Sequence, residues 1–331
     1  MDVQTQIRKG KPRAGAKKAR VLDITVLMGG PSSERDVSFE SGQAIADALA
    51  RRGHRVTPSD ISPADVSALD RRGIDVVFIA LHGAFGESGE VQDLCEARGL
   101  RYTGSGPAAS RLAMDKAAAK ERFRLAGVHV PEGVVVAAKE PADTAARAVA
   151  ALGLPAVIKP VDGGSSVDVT ITDDPALRDQ AIRDVVGKYG QALVEQFIKG
   201  RELTVGILGE EPLPIIQIIP DGRFYDKFAK YHKDSKTQYI LDHGLDAATC
   251  RRLQAEALAA YRSLGCRDMS RVDFLLPADG TPYCLELNNI PGFTSHSLLP
   301  KAAQQAGIGF DELVQRLVDM AMARPAGRRQ R

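Results

Sequence analysis

The chain has 331 residues, 44% hydrophobic and 26% charged, an ordinary globular composition with enough core for two or three domains. No run of 18 or more apolar residues occurs, which excludes a transmembrane helix, and no apolar stretch follows the N-terminal charges before Val21, which argues against a secretory signal. The net charge of +2 resides in the first 20 residues, which hold seven Lys/Arg and one Asp; the remaining body carries a net charge of −4.

That basic stretch, 1–20, reads as a disordered, solubilising leader rather than a nucleic-acid or membrane contact, and the Arg-rich end at 324–331 reads the same way. From Val21 the pattern becomes strand, loop, helix. "VLDITVLM" is a buried strand, "GGPSSERDVS" a Gly/Ser-rich turn, and "SFESGQAIADALARRG" an amphipathic helix closed by Gly53. "DVVFIALHG" is a second buried strand, followed by the polar loop "GAFGESGEVQDLCEARG" and a third short strand, "LRYTGSG". Alternating strands and helices predict a parallel α/β sheet over 21–104, in which ligands meet the carboxyl ends of the strands. Glu34 and His82-Gly83 fall just after strands.

Residues 105–196 read as a smaller α+β unit. It has a helix in "MDKAAAKERFRLAGVHVP" ending at Gly127, then strand, glycine loop and strand in "LPAVIKPVDGGSSVDVTIT", then two short strands in "ALVEQFIKGRELTVGILG". Residues 197–331 form a third unit. It runs through "PIIQIIP", a long polar loop (221–244), a helix (246–264), the strands "RVDFLLP" and "PYCLELN", and closing helices near 298–306 and 310–323. Cys95, Cys250, Cys266 and Cys284 lack metal-ligand spacing and read as free thiols of a reducing cytoplasm.

Two stretches carry chemistry. Gly163-Gly164-Ser165-Ser166, entered by a strand bearing Lys159, offers backbone N–H and hydroxyl donors to an anion. It reads as a lid over phosphates or as a plain loop, and it is not a Walker A loop, whose spacing is absent. In "YCLELNNIPG" (283–292), strand alternation puts Tyr283, Leu285 and Leu287 on one buried face and Cys284, Glu286 and Asn288 on the other. A carboxylate and an amide two residues apart are either solvent-facing edge positions or two ligands for one hard cation. A hairpin with the strand bearing Arg271 and Asp273 would bring Asp273 beside Glu286 and Asn288, a donor set that suits Mg2+. Arg271 would share the face of Asp273, placed to meet a developing oxyanion or a transferred phosphoryl group.

An Asp on one strand and Glu-x-Asn on the next, with a Lys-led glycine loop upstream, resembles the ATP-grasp ligases, and within them the D-alanine–D-alanine ligase family. The resemblance rests on "LMGGPSSERDVS" (27–38), "ALHGAFGESGEVQ" (80–92), "YTGSG" (102–106), "MDK" (114–116), "VIKPVDGGSSV" (157–167), "GRELTVGIL" (200–208), "FYDKFAKY" (224–231), "RVDF" (271–274) and "LELNNIPGFTSHSLLP" (285–300), in the family's order over about residues 21–320. It implies a three-domain ATP-grasp fold: an N-terminal parallel α/β domain, a small central α+β lid and a C-terminal α+β catalytic domain. It also implies joining of two D-alanines through an acyl phosphate, with ATP and two Mg2+ ions (Mn2+ able to substitute), for peptidoglycan synthesis. Family analogy adds a cytoplasmic homodimer with no nucleic-acid partner and no membrane insertion.

Carried over residue by residue, the resemblance gives Glu34 the ammonium of the first D-alanine and ties it to Ser165 and Tyr231. His82 and Glu87 fall near the first subsite. Arg271 and the backbone N–H of Gly292 form the oxyanion hole, and Ser297, with Leu298 beside it, binds the second carboxylate. Lys116, Lys159, Gly164, Ser165, Ser166 and Lys230 meet the phosphates, Glu195 the adenine side and Glu202 the ribose. Asp273, Glu286 and Asn288 hold the metal. The Lys230-Tyr231 pair favours the dipeptide over a D-lactate product. Several positions depart from the family pattern: Asp168 where Gly is common, Lys227-Phe228, Asp242-His243, and Asn289 where Thr is usual. The rival readings are a ligase with D-lactate or D-serine as second substrate, and a catalytically silent nucleotide binder.

Overall fold

A computed structural model describes residues 20–139, 142–164, 167–222 and 235–325. Residues 1–19 of the leader, 326–331 of the Arg-rich end, Ser165, Ser166, Lys227, Phe228, Lys230 and Tyr231 lie outside the described residues, whereas Arg324, at the start of that end, pairs with Asp268.

The first sheet is parallel, in the order β2-β1-β3, with β1 (Asp23–Met28) paired to β2 (Arg55–Asp60) and β3 (Val76–Ile79). Strands β1 and β3 are covered on both faces, which is why they read as continuous apolar runs. Helix α1 (Arg35–Arg51) buries Ile45, Ala46, Ala48 and Leu49. β2 escapes the sequence reading because it is a polar edge strand with Pro58 in it, a residue an edge tolerates. The strand expected at "LRYTGSG" reduces to a single bridge between Val77 and Tyr102.

Helices α2 (Ala84–Glu87), α3 (Glu90–Ala97), α4 (Pro107–Met114) and α5 (Lys116–Leu125) follow. The side chain of Asp115 caps α5 by accepting from Ala118 N at 2.9 Å, and Gly127, at φ 78°, ends it as the sequence predicts. The second sheet is antiparallel, β4-β7-β5-β6, built from β4 (Gly133–Ala137), β5 (Ala156–Pro160), β6 (Thr170–Thr172) and β7 (Gln191–Gln196). Its core is small; helix α6 (Ala142–Ala151) contributes Val149, and α7 (Pro175–Tyr189) contributes Ala181 and Val185.

The third sheet runs β11-β10-β8-β12-β13, with β9 on β8. Its strands are β8 (Arg201–Leu208), β9 (Glu211–Pro212), β10 (Ile216–Ile219), β11 (Gln238–Ile240), β12 (Met269–Leu276) and β13 (Tyr283–Asn288). The two strands read in "ALVEQFIKGRELTVGILG" therefore exist as β7 and β8, but in different sheets. Along β8 the side chains divide by strand period. Leu203, Val205 and Ile207 join a core with Phe123 of α5 and Leu253 and Tyr261 of α8 (Ala247–Ser263). Leu208 instead joins Ile24, Leu27 and Phe78 of the first sheet, together with α9 (Leu298–Gln305) and α10 (Phe310–Ala323). Helices that lie far apart in sequence thus clamp both faces of the third sheet. All four cysteines are free. Among the described residues no helix is long and apolar enough to cross a membrane.

Candidate active site

Strands β12 and β13 set the centre. Asp273 lies opposite Glu286 and Arg271 opposite Asn288. The register then shifts: Phe274 opposes Cys284, leaving Leu285 as the extra residue of a β-bulge. The simple alternation expected for 283–288 is therefore corrected. Cys284 and Leu287 enter the core beside Phe274, where burial raises the Cys284 thiol pKa, while Leu285 and Glu286 line a cavity. A bulge does this because one added residue reverses the side-chain parity that follows it.

Arg271 grips Asp273 with two bonds, Nε to Oδ1 at 3.0 Å and Nη2 to Oδ2 at 2.9 Å. Thr204 Oγ1 donates to Asp273 Oδ1 at 2.6 Å. An ionised carboxylate offers about four lone-pair sites, so three such bonds leave room for a cation on Oδ2. Glu286 Oε2 stands 3.6 Å from Lys116 Nζ. Asn288 Oδ1 accepts from Ile290 N at 3.0 Å, which starts the turn toward Gly292. Among the described residues no three His, Cys, Asp or Glu side chains form a metal cluster. The donor set is two carboxylates and an amide oxygen, chemistry that fits a hard cation completing its shell with water and phosphate.

Two cavities meet here. The first is lined by Glu34, His82 and Glu87 from the first sheet's loops, by Lys116, Gly163 and Gly164, and by Arg271, Glu286, Asn288, Gly292, Ser297 and Leu298. Glu34 sits at the N-cap of α1, buried, and a Cβ on Gly164 would lie 3.8 Å from its Oε2. Its loop is braced by Arg35, which donates to Gly30 O at 2.9 Å and pairs with Asp60. His82 Nδ1 lies 3.5 Å from Glu87 Oε1, while His82 Nε2 is buried without a hydrogen-bond partner among the described residues. An orphaned polar atom of this kind points to a ligand. A Cβ on Gly292 would meet Ser297 Oγ at 2.7 Å, so a side chain there would displace the Ser297 hydroxyl. That Ser297 hydroxyl accepts from Thr294 N at 2.9 Å, inside its own turn. Asn289, one of the departures, donates to Glu87 O at 3.2 Å and so ties the β13 turn to the first sheet's loops.

The second cavity holds about 630 Å³ and is lined by Lys116, Lys159, Glu195, Glu202, Asp273, Leu285 and Glu286 together with Val157, Val169, Ile171, Phe197 and Ile219. That size and mixed lining suit a small-molecule site. Lys116 and Glu286 line both cavities. Lys116 Nζ also donates to Gly163 O.

Glu195 is read from the sequence as an adenine-side group. In the structure its buried oxygens are taken by Lys120 and by Lys159, whose Nζ is 2.7 Å from Oε2. Burial pushes Lys120 down to about 8. Burial also opposes the charge on Glu195, but the two ammoniums outweigh it and hold the carboxyl below its usual range. Lys120 is absent from the sequence reading. Its signal was the position four residues after Lys116, on the same helix face as the buried Ala119 and Phe123.

The family profile described as D-ala D-ala ligase C-terminus matches residues 124–319, and that described as D-ala D-ala ligase N-terminus matches residues 64–105. The chain belongs to the D-alanine–D-alanine ligase family. A D-alanine–D-alanine ligase from Geobacter sulfurreducens is 45% identical over 300 residues, covering 90% of this chain and 94% of that protein. One from an Anaeromyxobacter species is 42% identical over 298 residues, covering 90% and 96%. Among solved structures, the D-alanine–D-alanine ligase of Bacillus anthracis complexed with ATP superposes with a TM-score of 0.81 at 32% identity, over 92% of this chain and 98% of that one. The VanG D-Ala:D-Ser ligase of Enterococcus faecalis gives 0.82 at 27% identity, over 91% and 100%. The chain thus has the three-sheet α/β architecture of the ATP-grasp fold expected from its motifs. Asp168, one of the departures read from the sequence, is in contact with Lys188, 2.5 Å away.

Proposed function

We propose that the chain joins two D-alanines into D-alanyl-D-alanine, with ATP split to ADP and phosphate, for peptidoglycan precursor synthesis in the cytoplasm. The observation that carries this reading is the junction. A polar cavity holding Glu34, His82 and Arg271 opens into a second cavity of about 630 Å³ at Lys116 and Glu286, beside the paired Asp273 and Glu286.

The chemistry follows from that arrangement. Glu34 would hold the ammonium of the first D-alanine, since a buried ammonium without a counter-charge is costly. The carboxylate of that D-alanine then lies toward Lys116 and receives the γ-phosphoryl group as an acyl phosphate. The amine of the second D-alanine, with its own carboxylate held near Ser297 and Leu298, loses a proton and attacks the acyl carbon. The resulting oxyanion falls to Arg271 and the backbone N–H of Gly292. A guanidinium fork with five donors can grip Asp273 and meet an oxyanion together. Collapse expels phosphate and leaves the peptide bond. Lys116 and Lys159, with Ser165, Ser166 and Lys230 from outside the described residues, would position the phosphates, and Glu202 the ribose. His82 and Glu87 border the first cavity, where the first D-alanine would sit, and the family resemblance would have Tyr231 complete the set with Glu34 and Ser165. Asp273, Glu286 and Asn288 would hold Mg2+ (two ions, replaceable by Mn2+), which offsets phosphate charge during transfer. We read 21–104 as the substrate unit, 105–196 as the lid and 197–331 as the catalytic unit of a homodimer.

The test is phosphate release from ATP and Mg2+ with D-alanine, beside L-alanine, D-lactate and D-serine, with products weighed by mass spectrometry. Release with D-alanine alone and a D-alanyl-D-alanine mass are expected. Release only after D-lactate or D-serine is added would move the second-substrate assignment. ATP binding with no release in any mixture would overturn the reading in favour of a silent nucleotide binder.

A further inference from the structure

Asp168 takes no part in the chemistry above, yet it stands in an unusual place. Its φ is 55°, in the left-handed region that side-chain-bearing residues seldom enter. Aspartate tolerates that region best when its short side chain bonds nearby, but this one reaches across. Its Oδ2 accepts from Lys188 Nζ at 2.5 Å and from Tyr189 Oη at 2.5 Å. Both donors belong to the last turn of α7, and Lys188 Nζ also lies 5.0 Å from the centre of the Tyr189 ring. The C-terminal end of a helix repels a carboxylate through its dipole, so the ammonium and the phenol are what make this position tenable. Their hydrogen bonds, Lys188 first and Tyr189 next, hold the carboxyl below its usual range.

The location gives the contact a consequence. Asp168 is at the exit of the glycine loop. The entry is already fixed, because Lys116 Nζ donates to Gly163 O and Asp115 bridges Asp162. Val167 N closes a turn onto Gly164 O at 3.2 Å. Gly163 and Gly164 line the first cavity, and Val169, next to Asp168, lines the second. We propose that Asp168 is a positioning residue whose carboxylate latches residues 167–169 to the end of α7, and so holds Val169 in the wall of the second cavity. A glycine at this position would adopt the backbone angle with less strain but could not make the latch. The consequence for catalysis rests on the ligase reading; the latch itself does not.

The test uses Asp168→Gly, Asp168→Asn and Lys188→Met in the full chain, with two readouts. In ligand-free protein, the amides of 167–169 should exchange with deuterium at least about threefold faster in Asp168→Gly and Lys188→Met, with Asp168→Asn between these and the parent. In the ligase assay, the KM for ATP should rise about three- to fivefold in the same two variants, while kcat stays within about twofold and the product is unchanged. Added NaCl should narrow the gap, because Asp168 and Lys188 are 38% and 60% exposed and their attraction is screened. The double variant Asp168→Gly/Lys188→Met should be no worse than either single one. Parent-like exchange and parent-like KM in Asp168→Gly would overturn the proposal, as would exchange slower than the parent's, which would make backbone strain the only property of the site. If the parent chain released no phosphate, the ligase reading would fail while the exchange arm still decided the latch.

Discussion

The buried Lys120 and the partly buried Lys159 set two ammoniums against the one buried carboxylate of Glu195. One charge is compensated and one is not, and the arithmetic separates two substitutions that look alike in sequence. Lys120→Met leaves Glu195 paired with Lys159 and removes the excess charge, so it should cost little stability. Glu195→Gln leaves the buried Lys120 without a counter-ion and Lys159 with only the attraction of Glu286, and should cost about 3–5 kcal/mol in urea unfolding at pH 7. The pH dependence has a definite sign. Lys120 is ordinarily at 10.5 and is held down to about 8 here. Between those values the folded chain binds fewer protons than the unfolded one. Lys120 therefore opposes folding most strongly below pH 8, and that penalty is relieved as pH climbs toward 10.5. The same proton loss removes the excess positive charge beside the second cavity. ATP affinity, followed by calorimetry, should weaken as pH rises through about 8, and Lys120→Met should remove the inflection. The charge imbalance itself was not legible in the sequence. Lys159 and Glu195 were readable from motifs, but Lys120 shows its importance only when burial brings it against Glu195.

At the scale of elements, helix α5 was legible and strand β13 only in part. The helix announces itself by local chemistry: Asp115 caps it, Lys116 and Lys120 share a face, and Gly127 stops it. Asp115→Ala should therefore cost about 1 kcal/mol, and Asp115→Asn much less, since Asn caps nearly as well. Urea midpoints would show the difference, and equal midpoints for the two variants would mean that the bridge to Asp162 rather than the cap holds the segment. In β13 the spacing of Glu286 and Asn288 could be read as a candidate ligand pair, but the bulge at Leu285 could not be read, because a bulge is a relation between two strands. β2 was missed for a related reason: an edge strand with polar residues and Pro58 lacks the apolar run that marks a buried strand. Helix α7 went unread because its buried stripe is only Ala181 and Val185.

Across the whole molecule, chain order is a poor guide to packing. Helices α4 and α5 precede the second sheet yet bury Ala109, Ala113, Ala119 and Phe123 in the third sheet's core. Helices α9 and α10 end the chain yet complete the first sheet's core. Arg324 closes the same circuit, with Nη2 2.9 Å from Asp268 Oδ2 and its carbonyl accepting from Arg101 Nε at 2.9 Å. The consequence for the site is that the first cavity draws its walls from all three sheets' surroundings, and that Lys116 and Glu286 belong to both cavities. A ligand in one cavity orders groups that the other needs, so the two should bind cooperatively, and the coupling must be reciprocal. A non-hydrolysable ATP analogue with Mg2+ at about 100 times its Kd should stabilise the chain by about 2.7 kcal/mol, read from thermal or urea unfolding. D-alanine should bind more tightly once the analogue is present, and the analogue more tightly by the same factor once D-alanine is present. Glu34→Gln should keep the analogue's stabilisation and lose the response to D-alanine, because the ammonium would then lack its counter-charge. If Glu34→Gln responded to D-alanine as the parent does, the amino acid would not be held at Glu34. Strict additivity of the two ligands in the parent would instead mean that the two cavities, although they share walls, are energetically independent.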